Sequence, residues 1–350
     1  MSHKFGNWYS YSGVVHIHTN ASDGTKPIEE IIAIGRESGL DFMMFADHMT
    51  LVHRDNGHEG FYGKTLVVIG YEHNDAADKN HYLIFGAPRV YPAQMTAREY
   101  VTAAAADRAL GIVAHPDENR SRMGRYPPYP WTEWHVRDFQ GLELWNQMSE
   151  WMEKLTPLNH MSMALSPRKS MVGPTERVLK IWDELNIKGR YVGLASVDAH
   201  AFPIKLGPFT VRIFPYKVHF KTLRTHILLT EPLADVFETA REQLYGAFRD
   251  GRVFFSNMRW GKADNFEFYA TNSNNEVTVS GGTIEHHPNT RLLARLPSRA
   301  KIKVIANGEE VLDTVADELD YEVKQKGIYR LEAWKKKRGW IFSNHIRIGQ

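Results

Sequence analysis

The chain contains no cysteine, and this absence removes several classes of site at once. Without thiols there is no disulfide framework, no cysteine-bearing zinc finger, no iron–sulfur cluster and no thiol nucleophile. Any metal ion must therefore be bound by nitrogen and oxygen ligands.

Long apolar runs and an excess of charge of one sign are also missing. No window approaches the roughly 18–20 uninterrupted apolar residues that a membrane span needs. The N-terminal segment lacks the apolar core and the small-residue cleavage site of a signal peptide. The 43 basic and 41 acidic side chains nearly balance, so there is no general electrostatic footprint for nucleic acid. We therefore expect a cytoplasmic protein without a membrane or nucleic-acid partner.

The first two thirds of the 350 residues alternate short apolar runs with helical stretches. This alternation predicts βα units arranged as a parallel sheet or a barrel. The number of strands, together with the lack of a dinucleotide-binding glycine fingerprint, favours a barrel. The predicted strands are 14–18, 42–46, 66–71, 82–85, 112–114, 142–145, 192–196 and 253–255, and the predicted helices are 27–38, 97–110, 174–186 and 233–249.

The pattern changes near residue 260, where helical periodicity ends. The remaining segments alternate polar and apolar residues, and they are separated by turn signals such as Asn307-Gly308. This predicts a small all-β sandwich. The domains are therefore predicted as a barrel over 1–260 and a β domain over 261–350, for which the sequence indicates no role.

Histidines and carboxylates fall at or just after the predicted strand ends. His16 and His18 lie two residues apart on one strand and so project from the same face. In a parallel barrel the ends of the strands line one open face, where such residues meet. Each of them alone could be an ordinary polar residue, but coincidence explains the set poorly. The nine residues are His16, His18, Asp23, His48, Glu72, His81, His115, Asp198 and His200.

Histidine with aspartate or glutamate suits zinc, manganese or iron. Nine ligands exceed the about four to six that one ion accepts, so we expect two to three divalent ions with a carboxylate as a bridge.

These motifs, taken in order, resemble the PHP (polymerase and histidinol phosphatase) superfamily. The resemblance rests on His-x-His with SDG (His16, His18, Asp23), then DH ending in His48, Glu72, His81, HP at His115 and a late D-x-H (Asp198, His200), and it extends over residues 14–255. It implies a distorted (β/α)7 barrel with a trinuclear site. Segments 327–330 and 340–344 resemble the C-terminal β domain found on one branch of these metallohydrolases.

The resemblance also assigns ligands to individual ions. It places His16, His18, Glu72 and Asp198 on a first metal, and Glu72 bridges to a second metal that His81 and His115 hold. Asp23, His48 and His200 hold the third metal.

The expected reaction is hydrolysis by a metal-bridged hydroxide, because shared metal coordination lowers the pKa of water toward about 7. Asp198 and His200 could assist proton transfer. The residual positive charge favours a small anionic substrate and hence a metal-dependent phosphoesterase. The alternatives are a metal-dependent hydrolase of a carboxyl ester, amide or carbamate, and a metal-loaded binding protein without catalysis.

Several further residues have a functional and a structural interpretation. Arg120, Arg122, Arg125 and Lys205 could bind phosphate, or they could be ordinary surface charges. Tyr126, Tyr129 and Trp131 could form the wall of an aromatic pocket, or they could pack a long loop. Glu143 and Asn146, at another strand end, could orient a ligand histidine or serve only the fold. The sequence does not indicate an oligomeric state.

Overall fold

The computed structural model describes residues 3–5, 7–120, 127–206, 209–212 and 214–349. Its helices are α1 (Ile28–Glu37), α2 (Val52–Asp55), α3 (Ala97–Ala106), α4 (Gln147–Glu153), α5 (His160–Leu165), α6 (Glu176–Lys188), α7 (Tyr216–His219) and α8 (Phe237–Asp250). Within the described residues, no helix combines the length and the apolar character needed to cross a bilayer.

The strands of the N-terminal part are β1 (His3–Phe5), β2 (Trp8–Ile17), β3 (Phe42–His48), β4 (Gly60–Tyr62), β5 (Thr65–His73), β6 (Tyr82–Phe85), β7 (Leu110–Val113), β8 (Gly141–Asn146), β9 (Val192–Ser196), β10 (Pro203–Leu206), β11 (Phe209–Arg212), β12 (Leu223–Leu229) and β13 (Val253–Asn257). Those of the C-terminal part are β14 (Glu267–Thr271), β15 (Val277–Val279), β16 (Thr283–Ile284), β17 (Arg291–Ala306), β18 (Glu309–Glu322), β19 (Gly327–Lys335), β20 (Arg338–Ser343) and β21 (Ile346–Ile348).

The α/β class is confirmed, but the strand order is that of one large mixed sheet. Strands β2, β3 and β5 are parallel, as are β7, β8 and β9. Between these two groups, β6 runs antiparallel to both of its neighbours. A regular repeat of seven parallel βα units is therefore not the observed topology. The reason is local, because β5 and β6 are joined by a short loop and not by a crossover helix.

Alternate residues of these strands form two apolar layers. One layer combines Val15, Met44, Val68, Leu83 and other strand residues with the apolar face of α8. The other packs strands against α1, α3 and α6. Both faces of the central strands are thus covered, which explains why β5 is buried along its whole length and reads as a continuous apolar run.

The C-terminal β structure has its own apolar cluster but remains joined to the main sheet. Strand β13 pairs with β20, which connects the two parts through backbone hydrogen bonds. Phe342 of β20 packs within the main apolar cluster, and its ring stacks on Phe255 with 5.2 Å between centroids. The C-terminal strands therefore pack on one another, and β20 also extends the main sheet.

Several sequence-based elements need correction. Strand β12 was not predicted, because its sequence LRTHILL carries three polar side chains that are buried in the structure. The alternation of polar and apolar residues over 291–296 and 301–306 predicts two separate strands, but β17 runs unbroken for 16 residues. Its partner β18 was also missed, because acidic residues interrupt its apolar pattern. Some of these acids pair across the hairpin, as in the contact of Asp313 with Lys301 at 2.7 Å.

Candidate metal centre

The nine predicted residues lie at or near strand ends and form one cluster. His16 and His18 stand at the end of β2, where the pairing with β3 shifts register between Val15 and Ile17. His16, His115 and Asp198 adopt positive φ angles of 69°, 27° and 50°. Non-glycine residues in this region are uncommon and gather at functional sites, where the surrounding fold holds them.

Glu72, at the end of β5, is the centre of the cluster. One carboxylate oxygen, Oε1, lies 2.8 Å from His81 Nδ1 and 3.1 Å from His115 Nε2. The other, Oε2, lies 3.0 Å from His16 Nε2 and 3.3 Å from His18 Nε2. The carboxylate thus faces imidazoles on both sides, which is the position that a bridging ligand would occupy.

Asp198 and His200 come from the segment after β9. Asp198 Oδ1 lies 3.4 Å from His18 Nε2 and 3.6 Å from His16 Nε2. His200 Nε2 lies 3.1 Å from Asp23 Oδ2, and Asp23 Oδ1 lies 3.8 Å from His48 Nε2.

Among the described residues, the potential ligand atoms form three compact groups, and within each group they lie within 4.8 Å of one another. These groups are His16, His18 and Glu72; Glu72, His81 and His115; and His18, Asp23, His48 and His200.

Burial and charge coupling act strongly on these groups. Burial lowers the pKa of His18, but its contacts with Asp198 and Glu72 outweigh burial and raise that pKa to about 10. Burial lowers the pKa of His48 to about 4, and Glu72 offsets this only in part. Burial raises the pKa of Asp23, yet the contact with His200 prevails and brings it to about 2. The carboxylates therefore remain ionised.

The hydrogen bonds around two histidines test whether the cluster fits a cation. His16 Nδ1 lies 2.7 Å from Glu143 Oε1, and His200 Nδ1 lies 3.0 Å from the Asp198 carbonyl oxygen. Each Nδ1–H donates to that acceptor, so in the neutral ring the Nε2 lone pair points at a carboxylate. Two groups of electron-rich atoms that face each other need a cation between them. The donor set therefore fits divalent metal ions.

Glu143 and Asn146, on β8, form hydrogen bonds with candidate ligands of the cluster. Glu143 Oε2 accepts from the backbone N–H of His115 at 2.8 Å and from Asn146 Nδ2 at 2.9 Å. Asn146 Nδ2 also lies 3.3 Å from Asp198 Oδ2, and Asn146 Oδ1 caps α4 by accepting from the Ser149 N–H. The sequence suggested an orienting role for these two residues, and the contacts fit that role.

A cavity of about 680 Å³ opens above the cluster. Part of its lining consists of candidate ligands and the polar residues Asn74, Asp78 and Arg120. The rest is apolar or aromatic, and sequence reasoning missed the part on and just after α4 because those residues have the helical spacing of an ordinary core face. The apolar and aromatic residues are Met49, Tyr129, Met148, Trp151, Met152, Leu155, Phe202 and Pro203.

The predicted phosphate-binding residues are only partly described. Arg120 lines the cavity, and one of its Nη atoms donates to Glu118 Oε1. Arg122 and Arg125 lie outside the described residues, as does Tyr126. The backbone of Lys205 lies in β10, and its side chain is outside the described set.

The aromatic residues of this loop have different positions. The Tyr129 ring stacks on His81 with 4.7 Å between centroids, so the pocket interpretation fits it. Trp131 is buried beside Tyr82 and Phe139, so it packs the loop and does not fit the pocket interpretation. His73, next to Glu72, points to the other face of β5 and contacts Tyr100 at 4.3 Å between ring centroids.

Comparisons with known proteins add the following findings. No protein-family model matches the sequence, and no curated protein matches it. One similar solved structure is a two-domain protein from Bacteroides vulgatus ATCC 8482 that contains a predicted PHP-like metal-dependent phosphoesterase. It shares 11% identity, has a TM-score of 0.48, and the match covers 99% of this chain and 98% of that one.

Another is a candidate metal-dependent phosphoesterase from Bifidobacterium adolescentis ATCC 15703. It shares 14% identity, has a TM-score of 0.34, and the match covers 57% of this chain and 92% of that one.

Proposed function

We propose that this chain is a metal-dependent phosphoesterase with a PHP-type centre of two to three divalent ions. The observation that carries the proposal is the position of Glu72, whose two carboxylate oxygens face imidazoles from four different segments of the chain. A carboxylate in this arrangement can join two ions, and paired ions are the usual apparatus for phosphoester hydrolysis.

The ligand groups fit the assignment of ions that the family resemblance implies. His16, His18, Glu72 and Asp198 would hold the first ion, and Glu72 would share the second with His81 and His115. Asp23, His48 and His200 would hold the third. His18 Nε2 faces Glu72 and Asp198, which favours its membership of the first group. Imidazole with carboxylate suits zinc, manganese or iron.

A barrel in which β9 returns to β2 would explain why segments distant in sequence meet here. The backbone N–H of Val197 donates to the Val15 oxygen, and that of His18 donates to the Ala199 oxygen, both at 3.1 Å. Ile17 and Ala199 also form a parallel bridge. These bonds support the proposal of a distorted (β/α)7 barrel over residues 1–260. We propose residues 261–350 as the second domain.

Bound divalent ions would supply Lewis-acid stabilisation of phosphoryl oxygens and would make water more acidic. The chain itself supplies orientation and charge. Glu143 holds the His16 ring, and the Asp198 carbonyl holds the His200 ring. The carboxylates of Asp23, Glu72 and Asp198 neutralise only part of the about +4 to +6 that two or three divalent ions carry, which favours an anionic substrate. Arg120 adds a guanidinium at the rim.

The test is a paired assay on protein loaded with manganese or zinc, using nitrophenyl phosphate and nitrophenyl acetate. We expect phosphate ester turnover that Asp198→Asn abolishes, while the exposed control Asp235→Asn retains it. Turnover of acetate without phosphate would replace the proposal by carboxyl-type hydrolysis. No turnover of either ester by fully metal-loaded protein would reject both hydrolases.

A further inference from the structure

The lining of the cavity above the metal cluster is of two chemical kinds. The candidate ligands, Asp78 and Arg120 form its polar part. Helix α4 and the residues after it contribute an apolar part, Met148, Trp151, Met152 and Leu155, which we call the α4 wall. The Trp151 Nε1–H already donates to the Met163 oxygen. None of these four side chains therefore offers a free strong hydrogen-bonding group to a ligand.

Two aromatic rings of the lining stack on candidate ligands. Tyr129 stacks on His81 at 4.7 Å with an interplanar angle of 16°, and Phe202 stacks on His200 at 4.7 Å and 17°. Both rings line the cavity. A group attached to a phosphate held at the cluster would thus leave it between aromatic rings and thioethers, which favour planar apolar groups.

Glu118 connects Arg120 and Tyr129 of the cavity lining to the α4 wall. This buried carboxylate accepts from the Ser149 hydroxyl of α4 at 2.5 Å and from the Tyr129 backbone N–H at 2.8 Å. It also accepts from the guanidinium of Arg120. Glu118 therefore links the Arg120 guanidinium, the Tyr129 backbone and helix α4, so these parts of the lining keep their relative positions.

We propose that the substrate is a phosphate monoester whose organic group is apolar and carries a ring, and that this group packs against Met148, Met152 and Leu155. This proposal rests on the phosphoesterase function and names the substrate class for the same cavity. The volume of about 680 Å³ suits a small molecule. A hydroxyl-rich group would lose its water against the α4 wall without gaining hydrogen bonds, which is costly.

The first test compares benzyl phosphate with glycerol 1-phosphate on the metal-loaded enzyme. Both leaving groups are primary alcohols, so their difference reports contacts with the cavity more than leaving-group chemistry. We expect kcat/KM to be at least about tenfold higher for benzyl phosphate, as an apolar pocket of this kind allows. Equal values, or a preference for glycerol phosphate, would overturn the substrate class while leaving the phosphoesterase function in place.

Variants then locate the preference on the α4 wall. Met152→Gln keeps the side-chain length but adds a polar amide, and Leu155→Gln is a second variant on the same wall. Each should raise KM for benzyl phosphate about tenfold and leave glycerol phosphate within about twofold. The matched control is Leu158→Gln, because Leu158 is 99% exposed and does not line the cavity. An equal loss for both substrates in folded variants would contradict the proposed contact.

A binding measurement separates this proposal from the reaction itself. Calorimetric titration of metal-loaded protein with benzylphosphonate and with 2-hydroxyethylphosphonate, neither of which is a hydrolysable ester, should show about tenfold tighter binding of the benzyl compound. If no ester is hydrolysed but this difference appears, the phosphoesterase function fails and the apolar specificity stands. If the two phosphonates bind alike, or neither binds, the specificity proposal is wrong.

Discussion

Replacement of Glu143 by glutamine would test how the cluster is held in its metal-binding geometry. Burial raises the pKa of Glu143, but His16 outweighs burial and keeps this pKa below its ordinary value. The residue therefore acts as an anionic acceptor toward His16 Nδ1, the His115 backbone N–H and Asn146 Nδ2, at 2.7, 2.8 and 2.9 Å.

Glutamine keeps the shape but cannot satisfy these three donors. If its NH₂ faces His115 and Asn146, donor meets donor. If it faces His16, then Nδ1 of His16 must accept, and the proton moves to Nε2, the atom that faces Glu72. Either outcome disturbs a candidate ligand, and the loss of a charged hydrogen bond costs about 1.5–3 kcal/mol.

We therefore expect Glu143→Gln to weaken metal binding by about 10–100-fold. The assay is competition with a metal-sensitive chelator, followed by a check of folding through circular dichroism. The matched control is Glu59→Gln, since Glu59 is also partly buried and accepts a backbone N–H, that of Ile69, at 2.8 Å. Equal metal affinity in the wild type and Glu143→Gln would refute the orienting role.

Three other predictions concern stability. Arg330→Met should lower the free energy of unfolding by about 3–5 kcal/mol in urea titrations, because it leaves the buried Asp183 carboxylate without its bidentate partner at 2.7 and 2.8 Å. The control Arg291→Met breaks an exposed ion pair and should lower the free energy of unfolding far less, because solvent screens that pair; similar losses in both variants would contradict the argument. Burial lowers the pKa of His345 to about 4, so the unfolded chain takes up its proton first. The contribution of His345 to stability is therefore complete above about pH 6.5 and is lost as the pH falls toward 4, and His345→Gln should flatten the measured profile over that range. Removal of metal by chelation should lower the melting temperature and readdition should restore it, because the ions bind only the folded cluster; an unchanged melting temperature would contradict a folded-state metal site.

The metal cluster could be predicted from sequence because its signals are local. His16 and His18 share a strand face, and Glu72 and His115 end or follow buried strands whose apolar runs are easy to recognise. The convergence of these residues follows from the shared edge of parallel strands. The register shift at His16 was not visible in the sequence, because it depends on pairing with another strand.

The cavity wall and the sheet order could not be predicted in the same way. Met148 and Trp151 have the helical spacing of an ordinary core face, and only the position of α4 beside the cluster exposes them to the cavity. Strand β6 reads as one more apolar run, and its antiparallel direction depends on the length of the loop before it. The role of Glu118 comes from contacts with Ser149 and Tyr129, which are distant in sequence.

The central claim is that Glu72 and its neighbouring imidazoles bind several divalent ions. The most direct measurement is a crystal structure of protein loaded with manganese or zinc, with anomalous diffraction to locate the ions and elemental analysis to count them. We predict about two to three ions per chain, with two of them bonded to the Glu72 carboxylate. Less than one ion per chain in metal-saturated protein, or anomalous peaks away from Glu72, would contradict the account.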